Sequence, residues 1–412
     1  MKKNIAVIFG GNSTEHDISI LSGLQFVNAI NKEKYNVIPI YIMQNGQWIS
    51  GNSLLDVNVF KDFNLSKIKV KTVAILPCSN YLHTKSFGKF KPSIKIDCAV
   101  IALHGKNGED GTIQGLFELA NIPYTSTSVL GSSVGLDKDM MKQIFDYNKI
   151  PIIDFVTITK SQYDSENYKI KLISNKICFP LIVKPNRLGS SIGISICKTD
   201  EELEKALNLA FMFDDKVVVE KCVEDIKEVN ISVLGYGENC EVSFTEEVNN
   251  KNGLLTFQKK YLNQNSSKNL SQNANKIQNI KKIEAKSQKI ITNKEEASLT
   301  SAEGSKSGMQ NLNRIMPANI SKAQIKKIEG IAKKIFAILN CKGVVRIDFI
   351  IDQTANKIYA NEINTIPGSF AFYLWEKRGI KFDKLAETLI EIAMEQKSQE
   401  KKYITKFSSN IF

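Results

Sequence analysis

The chain has 412 residues, 42% of them hydrophobic and 24% charged, with a formal net charge of +12. That length suits about two to four domains, and the composition excludes a disordered chain or a membrane-spanning bundle. Residues 262–314 alone hold nine Lys/Arg against four Glu; the remaining excess reads as thinly spread, with no basic-aromatic stripe, so no nucleic-acid or membrane partner is expected.

From the N-terminus, Lys2-Lys3 precede the apolar run Ile5-Ala6-Val7-Ile8-Phe9, too short for a signal peptide and sized for a buried strand. The run ends at Gly10-Gly11, and Asn12-Ser13-Thr14-Glu15-His16-Asp17 follows. Strand, glycine turn, then polar helix start is the opening of an α/β unit. A helix to about residue 31 and a strand over 35–42 continue it. Neither Gly-x-Gly-x-x-Gly nor Gly-x-x-x-x-Gly-Lys-Ser/Thr occurs, so the common dinucleotide and phosphate-loop classes lose their support. A further strand, 98–103, runs into His104-Gly105-Lys106-Asn107-Gly108-Glu109-Asp110-Gly111 and a helix carrying Gln114 and Glu118. Ligands of open α/β sheets bind beyond the carboxyl ends of strands. The loops 10–17 and 104–114 are therefore expected to line one crevice.

The pattern then predicts a helix ending near Tyr147, a strand over 151–156 and another over 179–184. The latter leads into Pro185-Asn186-Arg187-Leu188-Gly189-Ser190-Ser191-Ile192-Gly193 and a strand over 194–197. Such a loop is a flap whose backbone N–H groups can cradle phosphate, with Lys138 and Lys184 as candidate cations. A helix over 201–213, a strand from 217, a hairpin of 228–235 with 241–248, and a helix over 321–339 complete this reading. Residues 262–314 contain no aromatic, no Asp and no Pro; they bury too little apolar surface to offset ordering entropy and are expected to be a mobile insertion with some helix around 276–297. The seven cysteines form no Cys-x-x-Cys and the three histidines are scattered, which disfavours zinc and predicts a reduced, cytoplasmic protein.

The chemistry concentrates in residues 344–368. Two β-branched runs flank Asp352-Gln353-Thr354-Ala355-Asn356 and predict a β-hairpin. Side chains alternate along strands, so Arg346 and Asp348 share one face and Glu362 and Asn364 another. If the faces coincide, oxygen donors suited to a hard cation such as Mg²⁺ meet a guanidinium.

Together these segments resemble the D-alanine–D-alanine ligase family of the ATP-grasp superfamily. The likeness rests on Gly-Gly-Asn-Ser-Thr-Glu-His-Asp-Ile-Ser at 10–19, His-Gly-Lys-Asn-Gly-Glu-Asp-Gly at 104–111 and Val-Lys-Pro-Asn-Arg-Leu-Gly-Ser-Ser at 183–191. Arg346-Ile-Asp348 and Asn361-Glu-Ile-Asn-Thr-Ile-Pro-Gly368 complete it, and it spans the chain except 262–314. The resemblance implies three α/β and α+β domains in an ATP-grasp architecture. These are an N-terminal open parallel-sheet domain over 1–126, a central subdomain with the phosphate flap over 127–220, and a C-terminal subdomain with the metal site over 221–412.

It also implies roles. Asp348, Glu362 and Asn364 would bind two Mg²⁺ (or Mn²⁺), and Arg346 would stabilise developing negative charge. Lys138, Lys184, Ser191 and Lys260 would contact ATP phosphates. Glu220, Lys221 and Val223 would form the adenine hinge, with Glu228 on the ribose. Glu15 would hold the first substrate's ammonium, bridged to Ser190 and Tyr261, while His104 and Gly368 border the pocket. D-alanine and ATP are the implied ligands, a homodimer the implied assembly, and a D-alanyl-D-alanine dipeptide for cell-wall synthesis the implied product.

Two departures from the family pattern stand out. Tyr373 occupies the place of a family serine that meets the second substrate, leaving its hydroxyl or Ser369 as substitute. The stretch from Lys260-Tyr261 to Pro317 is also unusually long. The rival readings are a ligase making D-alanyl-D-serine or D-alanyl-D-lactate, and a non-catalytic nucleotide-binding protein of the same superfamily.

Overall fold

Ile5, Ala6, Val7, Ile8 and Phe9 are apolar without alternation, which suits a strand covered on both faces, and each is fully buried. In the computed structural model, which describes residues 2–165, 170, 173, 176–248, 314–400, 402 and 404, they are the centre of β1 (Lys3–Gly10). There follow α1 (His16–Ala29), β2 (Tyr35–Ile42), β3 (Trp48–Ser50), β4 (Lys71–Ile75), β5 (Tyr81–Ser86), β6 (Lys89–Lys95), β7 (Cys98–Ile101) and α2 (Thr112–Ala120). They build a sheet of order β6-β5-β4-β3-β2-β1-β7. Only β2-β1-β7 is parallel; β2 through β6 pair antiparallel. The expected open parallel sheet is thus extended by four antiparallel strands from residues 43–97, where no element was expected.

Those strands also correct the reading of the charge. Residues 63–96 hold seven lysines and no Asp or Glu, with Tyr81, Phe87 and Phe90 exposed among them. A basic-aromatic stripe does exist, at one edge of the sheet.

Next come α3 (Val129–Leu136), α4 (Lys138–Tyr147), β8 (Phe155–Thr159), α5 (Lys160–Tyr163), β9 (Leu181–Pro185), β10 (Ser195–Cys197), α6 (Asp200–Ala210) and β11 (Lys216–Lys221). The second sheet, β10-β9-β11-β8, is antiparallel throughout and packs on α6 through Leu203, Ala206, Leu207 and Ala210. The strand expected at 151–156 begins four residues later. Pro151 has no N–H for a ladder, and its carbonyl instead accepts from Ala360 N at 2.8 Å, tying this connector to the last hairpin.

The third group holds β12 (Ile226–Tyr236), β13 (Asn239–Val242), β14 (Glu246–Val248), β15 (Arg314–Ile315), α7 (Lys322–Ile338), β16 (Lys342–Asp352) and β17 (Lys357–Asn364). The expected strand over 241–248 is broken in two at Ser243, whose N–H still bonds Ser232 O while its hydroxyl, in place of its carbonyl, accepts from Ser232 N at 2.9 Å. Helices α8 (Phe372–Glu376) and α9 (Phe382–Glu400) end the described chain. Contacts group Met1–Glu247 with Met316–Phe412 as one compact unit and Val248–Ile315 as a second. Nearly all of the expected insertion 262–314, with its expected helix, lies outside the described residues. No described helix is long and apolar enough to cross a membrane.

Cores fall on both faces of the first sheet. Val7 and Phe9 join Leu24 and Phe26 of α1 and Trp375, Leu385 and Leu389 of the last helices, whereas Ala6 and Ile8 join Ile113 and Phe117 of α2. Trp375 is fully buried and its indole N–H donates to Ser232 Oγ at 3.0 Å, so it ties the C-terminal helices to β12. Trp375→Ala removes that bond and opens a cavity. A loss of about 3–5 kcal/mol is expected, measurable as a lower urea midpoint for loss of near-ultraviolet circular dichroism.

Candidate active site

The β16–β17 register decides whether the predicted faces coincide. Arg346 pairs with Asn364 and Asp348 with Glu362, and directly opposed residues project on the same side of an antiparallel pair. The four side chains therefore share one face, each half-buried. Arg346 grips Asp348 bidentately, Nε to Oδ1 at 2.7 Å and an Nη to Oδ2 at 2.8 Å, and Asn364 donates to Asp348 Oδ2 at 3.1 Å. The register slips between Asp348 and Phe349, leaving Asn361 as the extra residue of a bulge. Bulges re-aim side chains, and Asn361 Oδ1 accepts from Lys184 at 3.4 Å.

Lys184 leads into a buried charge cluster. Glu220 on β11 meets Lys184 at 2.6 Å and Lys142 of α4 at 2.9 Å, with the Lys142 and Glu220 side chains 1% exposed. Burial alone would raise the Glu220 carboxyl; the two ammoniums overturn that and hold it at about 2. Burial pushes Lys142 down, while the Glu220 carboxylate keeps Lys184 above its usual value despite burial. The two Glu220 oxygens thus face one ammonium each. Lys138, at the first turn of α4 capped by Asp137, donates to Leu188 O in the flap at 2.8 Å.

The flap reaches the first domain through Ser190, whose hydroxyl donates to Glu15 at 2.5 Å. Ser190 and Ser191 are both exposed and in the left-handed region, φ 53° and 56°. The two strand-end loops do meet: a Cβ on Gly105 would lie 2.6 Å from Ser13 Oγ and 2.8 Å from Glu15 Oε2, so that position requires glycine. Burial, with added repulsion from Glu362, raises the Glu15 carboxyl against the opposing effects of Ser190 and Lys138. His104 Nε2 accepts from Ser22 Oγ at 2.8 Å, and Ser22 in turn accepts from Ser369 N at 3.0 Å. Tyr373 Oη donates to Glu246 at 3.4 Å.

Glu15, His104, Lys138, Lys184, Ser190, Glu220, Arg346, Asp348, Glu362, Asn364, Gly368, Ser369 and Tyr373 therefore lie on elements that bond to one another. Lys221 is exposed at the end of β11, with Val223 half-buried beyond it and Glu228 half-buried on β12. Lys260 and Tyr261 lie outside the described residues. Among the described residues no three His, Cys, Asp or Glu gather in metal-binding geometry; the candidate is the mixed set Asp348, Glu362 and Asn364.

Sequence reasoning passed over Lys142 and Glu109. Glu109 accepts from Gly105 N at 2.8 Å and Ile366 N at 3.1 Å, joining the first domain's loop to the segment after β17. Burial, then the nearby Glu15 charge, push its carboxyl up to about 8. For Lys142 a signal existed: it lies with Met141 and Phe145 on the buried face of α4, where an ammonium needs a partner.

Comparisons with known proteins identify the family. Residues 4–127 match the family model of the D-ala D-ala ligase N-terminus, and 144–300 with 296–391 match that of the C-terminus. The chain belongs to the D-alanine–D-alanine ligase family. It is an ATP-dependent, peptide-bond-forming ligase of that family. The D-alanine–D-alanine ligase of Thermosipho melanesiensis is 36% identical over 408 residues, covering 99% of this chain and 98% of the relative. That of Staphylococcus epidermidis is 33% identical over 407 residues, covering 97% and 98%. Among solved structures, the Coxiella burnetii D-alanine–D-alanine ligase aligns with a TM-score of 0.73 at 26% identity, over 97% of this chain and 96% of that one. The Enterococcus faecalis VanG D-Ala:D-Ser ligase aligns with a TM-score of 0.73 at 28% identity, over 95% and 100%.

His104 supplies a pH test of this family site. Burial pushes its imidazole down to about 4. A base with a depressed folded pKa stays neutral while the unfolded chain takes up a proton, so stability is full above about 6.5 and falls as pH drops toward 4. The loss amounts to about 3 kcal/mol by pH 4. Urea unfolding at pH 7 and pH 4.5 should show this extra loss in the native chain and not in His104→Gln.

Proposed function

We propose that this chain condenses two D-alanine molecules into D-alanyl-D-alanine for cell-wall synthesis, at the expense of ATP. The observation that carries the reading is the excess of cations around one carboxylate. Lys142 and Lys184 both pair with Glu220, Lys138 sits at the start of the same helix as Lys142 and reaches the flap at Leu188 O, and the Arg346–Asp348 hairpin lies beside them through Asn361. Such a surplus calls for an anionic ligand, and the triphosphate of ATP supplies it.

In this reading Glu15 holds the ammonium of the first D-alanine, fixed by Ser190. The carboxylate oxygen attacks the γ-phosphorus of ATP, the bond to the β-phosphate oxygen breaks, and ADP leaves with the electron pair. The neutral amine of the second D-alanine then attacks the acyl phosphate carbon. A C–N bond forms, the C–O bond to phosphate breaks, and the amine's proton is lost. Arg346 faces the place where negative charge develops. The flap excludes water, which would hydrolyse the acyl phosphate.

A hard divalent cation fits the donor set: Asp348, Glu362 and Asn364 offer oxygen ligands on one face, and two Mg²⁺ or Mn²⁺ held there would neutralise phosphate charge. Ser191, Lys221, Val223, Glu228 and Lys260 belong to the ATP side of the proposal, Tyr261 to the bridge from Glu15, and His104, Gly368 and Ser369 to the substrate side. The homodimer is part of the same proposal.

One observation favours a second reading of specificity. Tyr373, bonded to Glu246, stands where the family's serine is expected, and a D-Ala:D-Ser ligase is among the structural relatives. The test is phosphate release by the purified chain with ATP and Mg²⁺, supplied with D-alanine alone or with D-serine or D-lactate added. Release with D-alanine alone and a D-alanyl-D-alanine product supports the proposal. Turnover only in a mixture moves the second substrate to the rival. No release under any condition, with ATP still bound, returns the non-catalytic reading.

Two variants test the roles. Arg346→Met should lower kcat by about 10²–10³-fold, the scale for removing one preorganised charge stabiliser, with ATP binding retained in calorimetry. Tyr373→Ser should change KM for the second D-alanine while leaving ATP binding unchanged. An unaltered second-substrate KM would remove Tyr373 from that subsite.

A further inference from the structure

We propose that the β5–β6 hairpin is a docking surface for an anionic lipid bilayer, separate from the ligase chemistry. β6 is the outermost strand of the first sheet, and every residue from Lys89 to Lys95 is exposed. The hairpin tip is Phe87-Gly88, both left-handed at φ 46° and 77°. Turns of that kind are the province of Asn and Gly. Phe87 occupies the position at a conformational cost, with its ring wholly in solvent at 101% exposure. Behind it the register sets Lys85 beside Phe90 and Tyr81 beside Lys95, so lysines and aromatics share one face. The same segment exposes Leu65, Leu76 and Ile94.

All seven lysines of residues 63–96 are exposed. Lys67 and Lys95 pair with Asp62 at 3.6 Å and Asp97 at 3.7 Å. Lys69, Lys71, Lys85, Lys89 and Lys91 make no ion pair among the described residues; Lys89 and Lys91, opposite Ser86 and Thr84, project from the other face of β6 than Phe90, so both faces of this exposed edge carry positive charge that an anionic partner complements.

The choice among anionic partners follows from the apolar side chains. Lysines and Pro92 on an edge strand guard against aggregation, but that explains neither Phe87 nor the exposed leucines. A second copy added edge to edge in antiparallel register would oppose lysine to lysine, which is unfavourable. A nucleic acid can stack on Phe87 and Phe90 yet has no use for Leu65, Leu76 and Ile94. A bilayer surface accepts both sets: rings and aliphatic groups enter the acyl boundary while lysine stems lie along it and their ammoniums reach lipid phosphates.

The test is co-sedimentation of the full chain with phosphatidylcholine vesicles, with and without roughly one-third phosphatidylglycerol, at about 0.1 M salt. Binding is expected only to the anionic vesicles and is lost at high salt. Lys89→Glu/Lys91→Glu should weaken it by more than about tenfold, from the energy of each lysine at such a surface. Phe87→Ser should weaken it without altering the salt dependence, and Lys281→Glu/Lys282→Glu, in the other basic segment, should leave it unchanged. An unchanged thermal midpoint checks that each variant is folded. Three results would overturn the proposal: no binding to anionic vesicles, tighter binding to single-stranded RNA through the same lysines, or a dimer that Phe87→Ser converts to monomer in analytical ultracentrifugation.

Discussion

A carboxylate buried without compensation costs several kcal/mol, and Glu220 avoids that cost because two lysines from separate elements reach it. Lys184 comes from β9, the strand beside β11, and Lys142 from α4. One carboxylate cannot neutralise two ammoniums, and Lys138 adds a third at the start of the same helix. With Glu362 as the further carboxylate acting on Lys142, Lys184 and Arg346, the fold concentrates charge at a place it has partly dried. Such a place improves when a polyanion enters. Removing Glu220 would leave the lysines repelling one another, so the same residue supports the fold and sets the potential of the pocket.

The N-terminal sheet contributes by geometry more than by charge. β1 and β7 are adjacent and parallel, so their carboxyl ends bring the 10–17 and 104–111 loops side by side. Glu15, held by Ser190 from the flap, and Glu109, held by the backbone of Gly105 and Ile366, link that sheet to the rest of the unit. Burial raises both carboxyls, and the Glu15 charge raises Glu109 further. Glu109, pinned by two backbone N–H groups, acts as a strut.

Much of this was legible in the sequence because its signals are strong. Apolar runs such as Ile5–Phe9 and the paired runs of 344–364 specify strands, and alternation puts Arg346 with Asp348 and Glu362 with Asn364, while the β16–β17 register is what joins the two pairs on one face. At Gly105 and Gly189 the backbone closely approaches Glu15. Strands β3 to β6 were not legible, since they are short or alternate lysine with single apolar residues, a pattern shared with exposed loops. Glu109 was hidden in a loop where every neighbour is polar. Lys142 was readable in principle as a charge at a core position of α4. The register slip at Asp348/Phe349, which turns Asn361 toward Lys184, has no counterpart in residue spacing.

The segment after β17 shows how the fold sustains a costly backbone. Ser369, Phe370 and Ala371 are consecutive L-residues with φ of 52°, 56° and 50°, and each such residue costs roughly 1–2 kcal/mol outside glycine. Local sequence does not ask for this turn; tertiary contacts impose it. Phe370 packs against Phe26 of α1 with ring centroids 5.0 Å apart, Ala371 is fully buried, and Ser369 N reaches Ser22 Oγ at 3.0 Å. Ser22 is also the partner of His104, so the strained turn, the first helix and the 104–111 loop form one hydrogen-bonded chain. The left-handed run turns the chain directly into α8, and that fixes where Tyr373 projects, toward Glu246 and Arg346. The identity of residue 373 therefore acts on a position that the core has already set, so a change of side chain there alters what faces Glu246 and Arg346 without moving the backbone that carries it.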